Sequence, residues 1–519
     1  MSSLLRFCRA YARQRRAGQS LFCVGLLLLT VVVWLSTGIE AGSRAPNPIY
    51  TIDSTGVLAT YRTDGGVDLS NPYFQSLGTN GRSCVTCHSA KDAWTVAPPD
   101  IQRRFVVSRG TDPIFRPVDG AVCPSADVST LRAKLSAYNL LLNKGLFRIS
   151  MPVPAGAEFA ITAIQDPYNC RETTASNPAE YRRPLPATNL TFDSAVMWDG
   201  RETAAGSVPG KSINLQASLA SQAFDATMGH AQASTPPTAE QVAAIVAFEE
   251  ANFTAPVADT HAGFLTGNGA QGGPQTLSRQ PFYVGINDVF GGDPTGAAFN
   301  PDVFTLYRAW ADSPSANRQS VARGEVLFNT YPIAITRVRG LNDALGQTTI
   351  SGTCSTCHDS PGVGNHSFSV PLAIGTTDYP APGLDISGLP VYTVSCSNGT
   401  TLHVTDLGRA MVSGKCFRAA LGGGQASLQF CSDRFRREGG LGGVALAGPE
   451  LGRAPAVQAL QVFKFAADRT VGGGARVGAD GHPQSLAQKP GSGMAGKRSH
   501  GARLQVRFRT HIQRRAALA

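Results

Sequence analysis

Cys84-Val85-Thr86-Cys87-His88 decides how this chain is read, and the pattern returns at Cys354-Ser355-Thr356-Cys357-His358. Two cysteines three positions apart can each add across a vinyl group of haem, and the histidine that comes next is then held beneath the iron. With 11 cysteines and 9 histidines in 519 residues, such a run is expected about 0.004 times by chance, so two of them mark a constraint. Cys84, Cys87, Cys354 and Cys357 are therefore the expected attachment points of two covalently bound haem c groups. His88 and His358 are the expected proximal iron ligands. The competing reading is structural zinc, but zinc takes four ligands and a Cys2His set falls one short. The two runs also stand 270 residues apart.

A chain of this length exceeds a single core. Its net charge of +10 suggests nucleic acid until the charges are located. Residues 1–39 carry five arginines and no acids, and residues 417–519 carry 16 basic against 5 acidic residues. The body, 40–416, is left with 25 basic and 31 acidic residues. A nucleic-acid binder needs a basic face on the fold itself, so that class is set aside. Arg6, Arg9, Arg13, Arg15 and Arg16 precede the apolar run Leu21–Ile39, an arrangement that keeps an N-terminus cytoplasmic and sends the downstream chain across a membrane. The run is long for the apolar part of a signal and just long enough to span a bilayer. Ala41 offers a small residue for cleavage, whereas Ile39 makes that site poor. Residues 1–41 are thus expected as a signal sequence or an N-terminal membrane anchor. The body is expected in the periplasm, soluble or held to the inner membrane through residues 21–39 alone.

Cys8 and Cys23 belong to the leader and four cysteines to haem. An oxidising compartment suggests two disulfides, Cys123 with Cys170 and Cys396 with Cys416, leaving Cys431 over; buried free thiols are the alternative.

Residues 42–64 are polar and punctuated by Gly and Pro, and read as a tether. Trp94, six residues beyond His88, is a packing partner for the first motif. Leu131–Leu146 has apolar residues at helical spacing, with Gly145 as a stop. Phe159–Ile164 reads as a short strand turned by Asp166-Pro167. Thr238 and Gln241 form a capping-box pattern ahead of Val242–Phe248. Ser320–Asn329 reads as helix, and Val391–Val404 as a strand pair around Asn398-Gly399. Residues 416–519 hold 18 glycines and no sustained apolar period, a basic Gly-rich tail on which no structure is forced.

Between the two motifs lies Trp198-Asp199-Gly200-Arg201, reached through an Arg/Pro-rich approach at 182–189. Asn71-Pro72-Tyr73-Phe74 precedes the first motif, Ala247-Phe248-Glu249 comes after the tryptophan motif, and Gly408-Arg409-Ala410 after the second haem motif. In this order the chain resembles the bacterial di-haem cytochrome c peroxidase family, which includes the di-haem maturase of methylamine dehydrogenase. The resemblance covers roughly residues 65–415, and Trp-Asp-Gly-Arg is its most specific part.

The resemblance implies a mainly α protein of two cytochrome-c-like haem domains, with long irregular loops and little β structure. The expected N-terminal haem domain is 65–255, the connecting region 256–315 and the C-terminal haem domain 316–415. The family's first haem is the peroxide site, and its second takes electrons from a small donor protein. The tryptophan lies between them. Trp198 is then the electron-relay candidate, or else a buried aromatic anchor. Arg201 would contact a haem propionate, or form an ordinary ion pair. His230 falls where the family places distal-pocket residues, as an acid/base group, a reversible sixth ligand or an exposed loop histidine. Glu202 and Gln232 are weaker candidates for that pocket. Calcium enters only through the family. Nothing after Lys415 matches the family's stretch that carries the second haem's sixth ligand, so Met411, His366 and His403 stand as substitutes.

The leading expectation is an exported di-haem oxidoreductase that reduces hydrogen peroxide. The alternatives are an electron-transfer cytochrome without a substrate of its own and a di-haem oxygenase or maturase.

Overall fold

A computed structural model describes residues 44–416 except 54, 207–212, 344, 361–371 and 382–383. The expected leader with its apolar run 21–39, the tail from 417 with Cys431, and His366 lie outside the described residues. Among the described residues no helix is long and apolar enough to cross a membrane.

The chain begins with β1 (Arg44–Ala45), β2 (Ile49–Asp53), β3 (Gly56–Arg62) and β4 (Val67–Asp68), succeeded by the first motif. Next come α1 (Pro98–Ser108), α2 (Leu131–Ala137), α3 (Asn139–Lys144), β5 (Phe147–Ser150), β6 (Phe159–Gln165) and β7 (Ala179–Arg182). The Trp198 segment leads into α4 (Leu215–Gly229), α5 (Ala239–Glu250), β8 (Asn252–Asp259) and β9 (Gly263–Phe264). After α6 (Pro274–Leu277), the second motif sits beyond α7 (Ala316–Thr330), β10 (Ile333–Ile335) and β11 (Ile350–Gly352). The chain then closes with β12 (Val391–Cys396), β13 (Thr401–Val404) and α8 (Ala410–Ser413).

The expectation of a mainly α fold with little β structure is wrong. Helix accounts for 26% and strand for 19% of the described residues, and the strands form five small antiparallel sheets. The physical reason is that the strands are short and pair across long sequence separations. The four-stranded sheet, in the order β2-β3-β8-β9, pairs Tyr61 with Phe253 and Thr60 with Thr254. β8 is buried along most of its length, so it lacks the alternation that marks a strand. Residues 42–64, expected as a tether, instead supply β2 and β3, and β3 is a central strand of that sheet.

Other local readings fare differently. The 131–146 helix is two helices broken at Tyr138, and Gly145 ends the second with φ 66°. Thr238 caps α5 as the pattern implied: its Oγ1 accepts from Gln241 N at 3.2 Å, and Gln241 Oε1 accepts from Thr238 N at 2.9 Å. The strand over 159–165 and the hairpin 391–404 form one sheet, in the order β13-β12-β6. Cys123–Cys170 and Cys396–Cys416 are disulfides.

One core cluster gathers Tyr73, Trp94 and Phe248. Trp94 Nε1 donates to Thr60 Oγ1 at 2.9 Å, which fastens the loop after the first motif to β3. Arg62 lies over the Phe248 ring at 4.2 Å and donates to the Phe248 carbonyl at 2.8 Å. A second cluster, with Phe304, Trp310 and Phe328, surrounds Cys354.

The C-terminal strands are tied to the middle of the chain by charge as well as by β6–β12 pairing. Buried Arg182 donates through Nη1 to Asp199 Oδ2 at 2.6 Å, through Nε to Asp406 Oδ2 at 2.7 Å, and through Nη2 to Glu180. A buried guanidinium facing three carboxylates stabilises only while every partner is present, because each lone carboxylate left behind is costly to bury. Replacing Arg182 by Met is predicted to lower unfolding free energy by about 3–5 kcal/mol, read by chemical denaturation. Asp406→Asn, at the more open edge of the cluster, should cost less.

Candidate functional site

The two Cys-x-x-Cys-His runs fold into the same small device. Each is one 3-10 turn, Cys84–Thr86 and Cys354–Thr356, with the histidine N–H returning to the first cysteine's carbonyl at 2.9 Å and 3.0 Å. The third residue of each turn caps it: Thr86 Oγ1 accepts from Ser83 N at 3.0 Å, and Thr356 Oγ1 from Thr353 N at 2.8 Å. The second cysteines share a backbone, φ/ψ −113°/−16° at Cys87 and −113°/−25° at Cys357. Threonine at that position is thus a folding requirement of the turn, not a reactive group.

The donors of the first run do not converge. Among the described residues, the one trio of His, Cys, Asp or Glu donors within 4.8 Å of one another is Cys123, Cys170 and Glu172, where the two sulfurs are joined to each other. Burial pushes the Cys84 thiol up to about 12 and the Cys87 thiol up to about 11. None of the four motif cysteines joins a disulfide.

Cys84, Cys87 and His88 instead form part of the wall of a cavity with about 1410 Å³ of non-atom space, part of it open to solvent. His88 Nδ1 lies 3.0 Å from the Trp94 carbonyl, which places a proton on Nδ1. Burial lowers the pKa of this imidazole, the bond to Trp94 opposes the shift, and the nearby His230 ring lowers it further. These residues fit a covalently attached haem: Cys84 and Cys87 would hold its edge and His88 its iron. Arg82 and Arg182 also line the wall but are committed to buried carboxylates, whereas Arg201 bonds Asp199 through Nη1 and would still be able to meet a propionate.

His230 lines the same cavity, at the end of α4. The approach to the first motif fixes its loop: Thr79 N donates to Ala231 O at 3.1 Å and Asn80 Nδ2 to His230 O at 2.8 Å. Its Nδ1 is 2.6 Å from Asp119 Oδ2, which also accepts from Arg82 Nη1 at 2.7 Å. Burial alone would raise the Asp119 carboxyl; the hydrogen bond from His230 and the charge of Arg82 outweigh burial and hold it below the usual carboxylate range.

Trp198 also lines the cavity, with Nε1 donating to the Arg183 carbonyl at 3.0 Å. The turn that carries it is tight: Gly200 N donates to Met197 O at 3.1 Å, and Gly200 has φ 68°. A side chain at Gly200 would be strained by that φ and would meet Arg409 Nη1 at 3.1 Å. Arg409 donates to the Asp199 and Gly200 carbonyls, each at 3.0 Å. Arg201 is both a wall residue and an ion-pair partner, with Nη1 2.9 Å from Asp199 Oδ2. Glu202, which accepts from Ser221 Oγ at 2.6 Å, and Gln232 stand outside the cavity wall.

At the second motif Cys354, Cys357, His358 and Asp359 are buried, and the His358 ring lies 5.7 Å from that of Phe328. Of the substitute ligands, His403 is exposed on β13, its Nδ1 3.2 Å from Thr393 Oγ1. Met411 is a core methionine packed with Phe159, Tyr392 and Leu407. Neither belongs to the clusters that contain Cys354 and Cys357.

Arg82, Asp119, Asp193 and Glu249 are wall residues that sequence reasoning missed. Arg82 adjoins the motif and could have been suspected; the acids carry no local signal. Comparison with family models, with curated proteins and with solved structures finds no match to this chain.

Glu249 is buried, its Oε2 has no hydrogen-bond partner, and burial together with the charge of Glu250 raises it from 4.5 to about 8. The folded chain therefore keeps this proton while the unfolded chain releases it, and stability falls as pH rises from about 4.5 to about 8. Glu249→Gln is predicted to be more stable than the parent by ~1–3 kcal/mol at pH 8 and nearly equal to it at pH 4.5, measured by denaturation at both pH values.

Proposed function

We propose that this protein is an exported, periplasmic di-haem c-type cytochrome that reduces hydrogen peroxide at the first haem with electrons received through the second. The observation that carries the reading is that His88, His230 and Trp198 line one cavity with Cys84 and Cys87. Bound there, haem would supply an iron able to exchange electrons with peroxide.

The chain's own groups do the rest. Cys84 and Cys87 hold the porphyrin, and His88, with Nδ1 committed to the Trp94 carbonyl, offers Nε2 to the iron. His230 has one nitrogen committed to Asp119, so the other can take a proton from one peroxide oxygen and return it to the other. Two electrons and two further protons then yield two waters. Trp198, hydrogen-bonded through its indole N–H and held in a rigid turn, is the relay toward the second haem at Cys354, Cys357 and His358. A small electron-donor protein is the proposed external partner.

One feature of the site favours a second reading: His230, which lines the same cavity as His88, can also close the sixth position, leaving an electron-transfer cytochrome without turnover. Stopped-flow mixing of the reduced holoprotein with hydrogen peroxide and a small reduced donor separates the two. Repeated turnover is expected, whereas low-spin haems inert to peroxide and cyanide would overturn the peroxidase reading. His230→Ala is predicted to slow peroxide reduction by about 10²–10⁴-fold. Trp198→Phe should slow electron transfer between the haems, and an unchanged rate would remove the relay role.

A further inference from the structure

Asp119 sits between a guanidinium and an imidazole of unlike purpose. Its side chain is 6% exposed, that of Arg82 3% and that of His230 43%. Oδ2 takes both Arg82 Nη1 at 2.7 Å and His230 Nδ1 at 2.6 Å, while the Asp119 carbonyl accepts from Arg148 N at 2.7 Å and fixes the residue's backbone. Arg82 is in turn immobilised by the carbonyls of Pro113 and Ile114, each at 2.9 Å, and of His230 at 3.2 Å. A buried carboxylate needs a counter-charge, and Arg82 alone provides one. The bond to His230 is additional, and it costs a partly exposed ring its freedom to turn.

We propose that Asp119, held by Arg82, is the positioning residue of the cavity's second imidazole: it fixes the Nδ1–H tautomer of His230 and turns Nε2 toward the space in front of His88. This rests on the distal role proposed for His230. A carboxylate behind an imidazole raises the basicity of the far nitrogen and restricts its orientation. His88 has the weaker arrangement, a backbone carbonyl behind Nδ1. The two imidazoles that face the cavity thus differ by construction in what holds Nδ1, a carboxylate at His230 and a backbone carbonyl at His88.

The test uses the full holoprotein and reads the first haem's absorption and EPR spectrum together with its cyanide affinity. Asp119→Asn is expected to perturb that haem's EPR spectrum and to weaken cyanide binding by about 10–100-fold, because the distal base must accept the proton of hydrogen cyanide and that is the usual scale for loss of such a partner. Asp119→Glu should recover part of both, and the second haem's bands should stay unchanged. Unaltered spectrum and cyanide affinity in Asp119→Asn, alongside an altered His230→Ala protein, would overturn the positioning role alone. If His230→Ala also leaves the first haem unaltered, the distal reading fails and this inference with it. Should Asp119→Asn not accumulate, nitrogen NMR of the wild-type His230 ring decides: a proton on Nδ1 supports the proposal, and a proton on Nε2 with Nδ1 bare overturns it.

Discussion

The 3.0 Å hydrogen bond between His88 Nδ1 and the Trp94 carbonyl is the contact on which the site depends. It closes a loop of six residues, and it works because Trp94 cannot move. The indole is wedged against Tyr73 and Phe248 with centroid separations of 6.0 and 5.4 Å, and its N–H is committed to Thr60 on β3. The sheet and α5 thus reach the imidazole through one aromatic cluster. Aromatic rings packed edge to face lose little entropy on folding and resist displacement, so the ligand's aim is set by the core and not by the loop that carries it.

The Trp198 turn is secured by a different force. Asp199 is fully buried and faces Arg182 and Arg201, while Arg409 clasps the turn's carbonyls from the C-terminal segment. Residues 180–201 and 406–409 therefore hold each other through charge, and β6 and β12 repeat the same link through backbone hydrogen bonds. A site built at such a junction feels the packing of both segments.

The range of each interaction decides how much of the fold and site was legible in the sequence. The motif turns, the α5 cap, the 391–404 hairpin and the stop at Gly145 are local, and the residues that make them are neighbours in the chain. The four-stranded sheet was not legible, because β3 and β8 are separated by some two hundred residues and β8 is buried without alternation. The Thr60 and Thr254 hydroxyls meet across the sheet at 2.8 Å, a contact that neither residue's neighbours in the chain announce. The His88, His230 and Trp198 candidates do share a cavity, whereas Glu202, Gln232 and His403 do not line it. Asp119 stayed hidden because nothing in Val118-Asp119-Gly120 announces a partner 111 residues away.

The central claim is that two porphyrins are bonded to the polypeptide. The direct measurement is the intact mass of the denatured protein from a host that attaches haem c, together with acid-acetone extraction. The predicted result is a mass two haems above the polypeptide and colour that stays with the protein, and with both Cys84/Cys87 and Cys354/Cys357 peptides after digestion. The bare polypeptide mass, or colour that passes into the acetone, would contradict it.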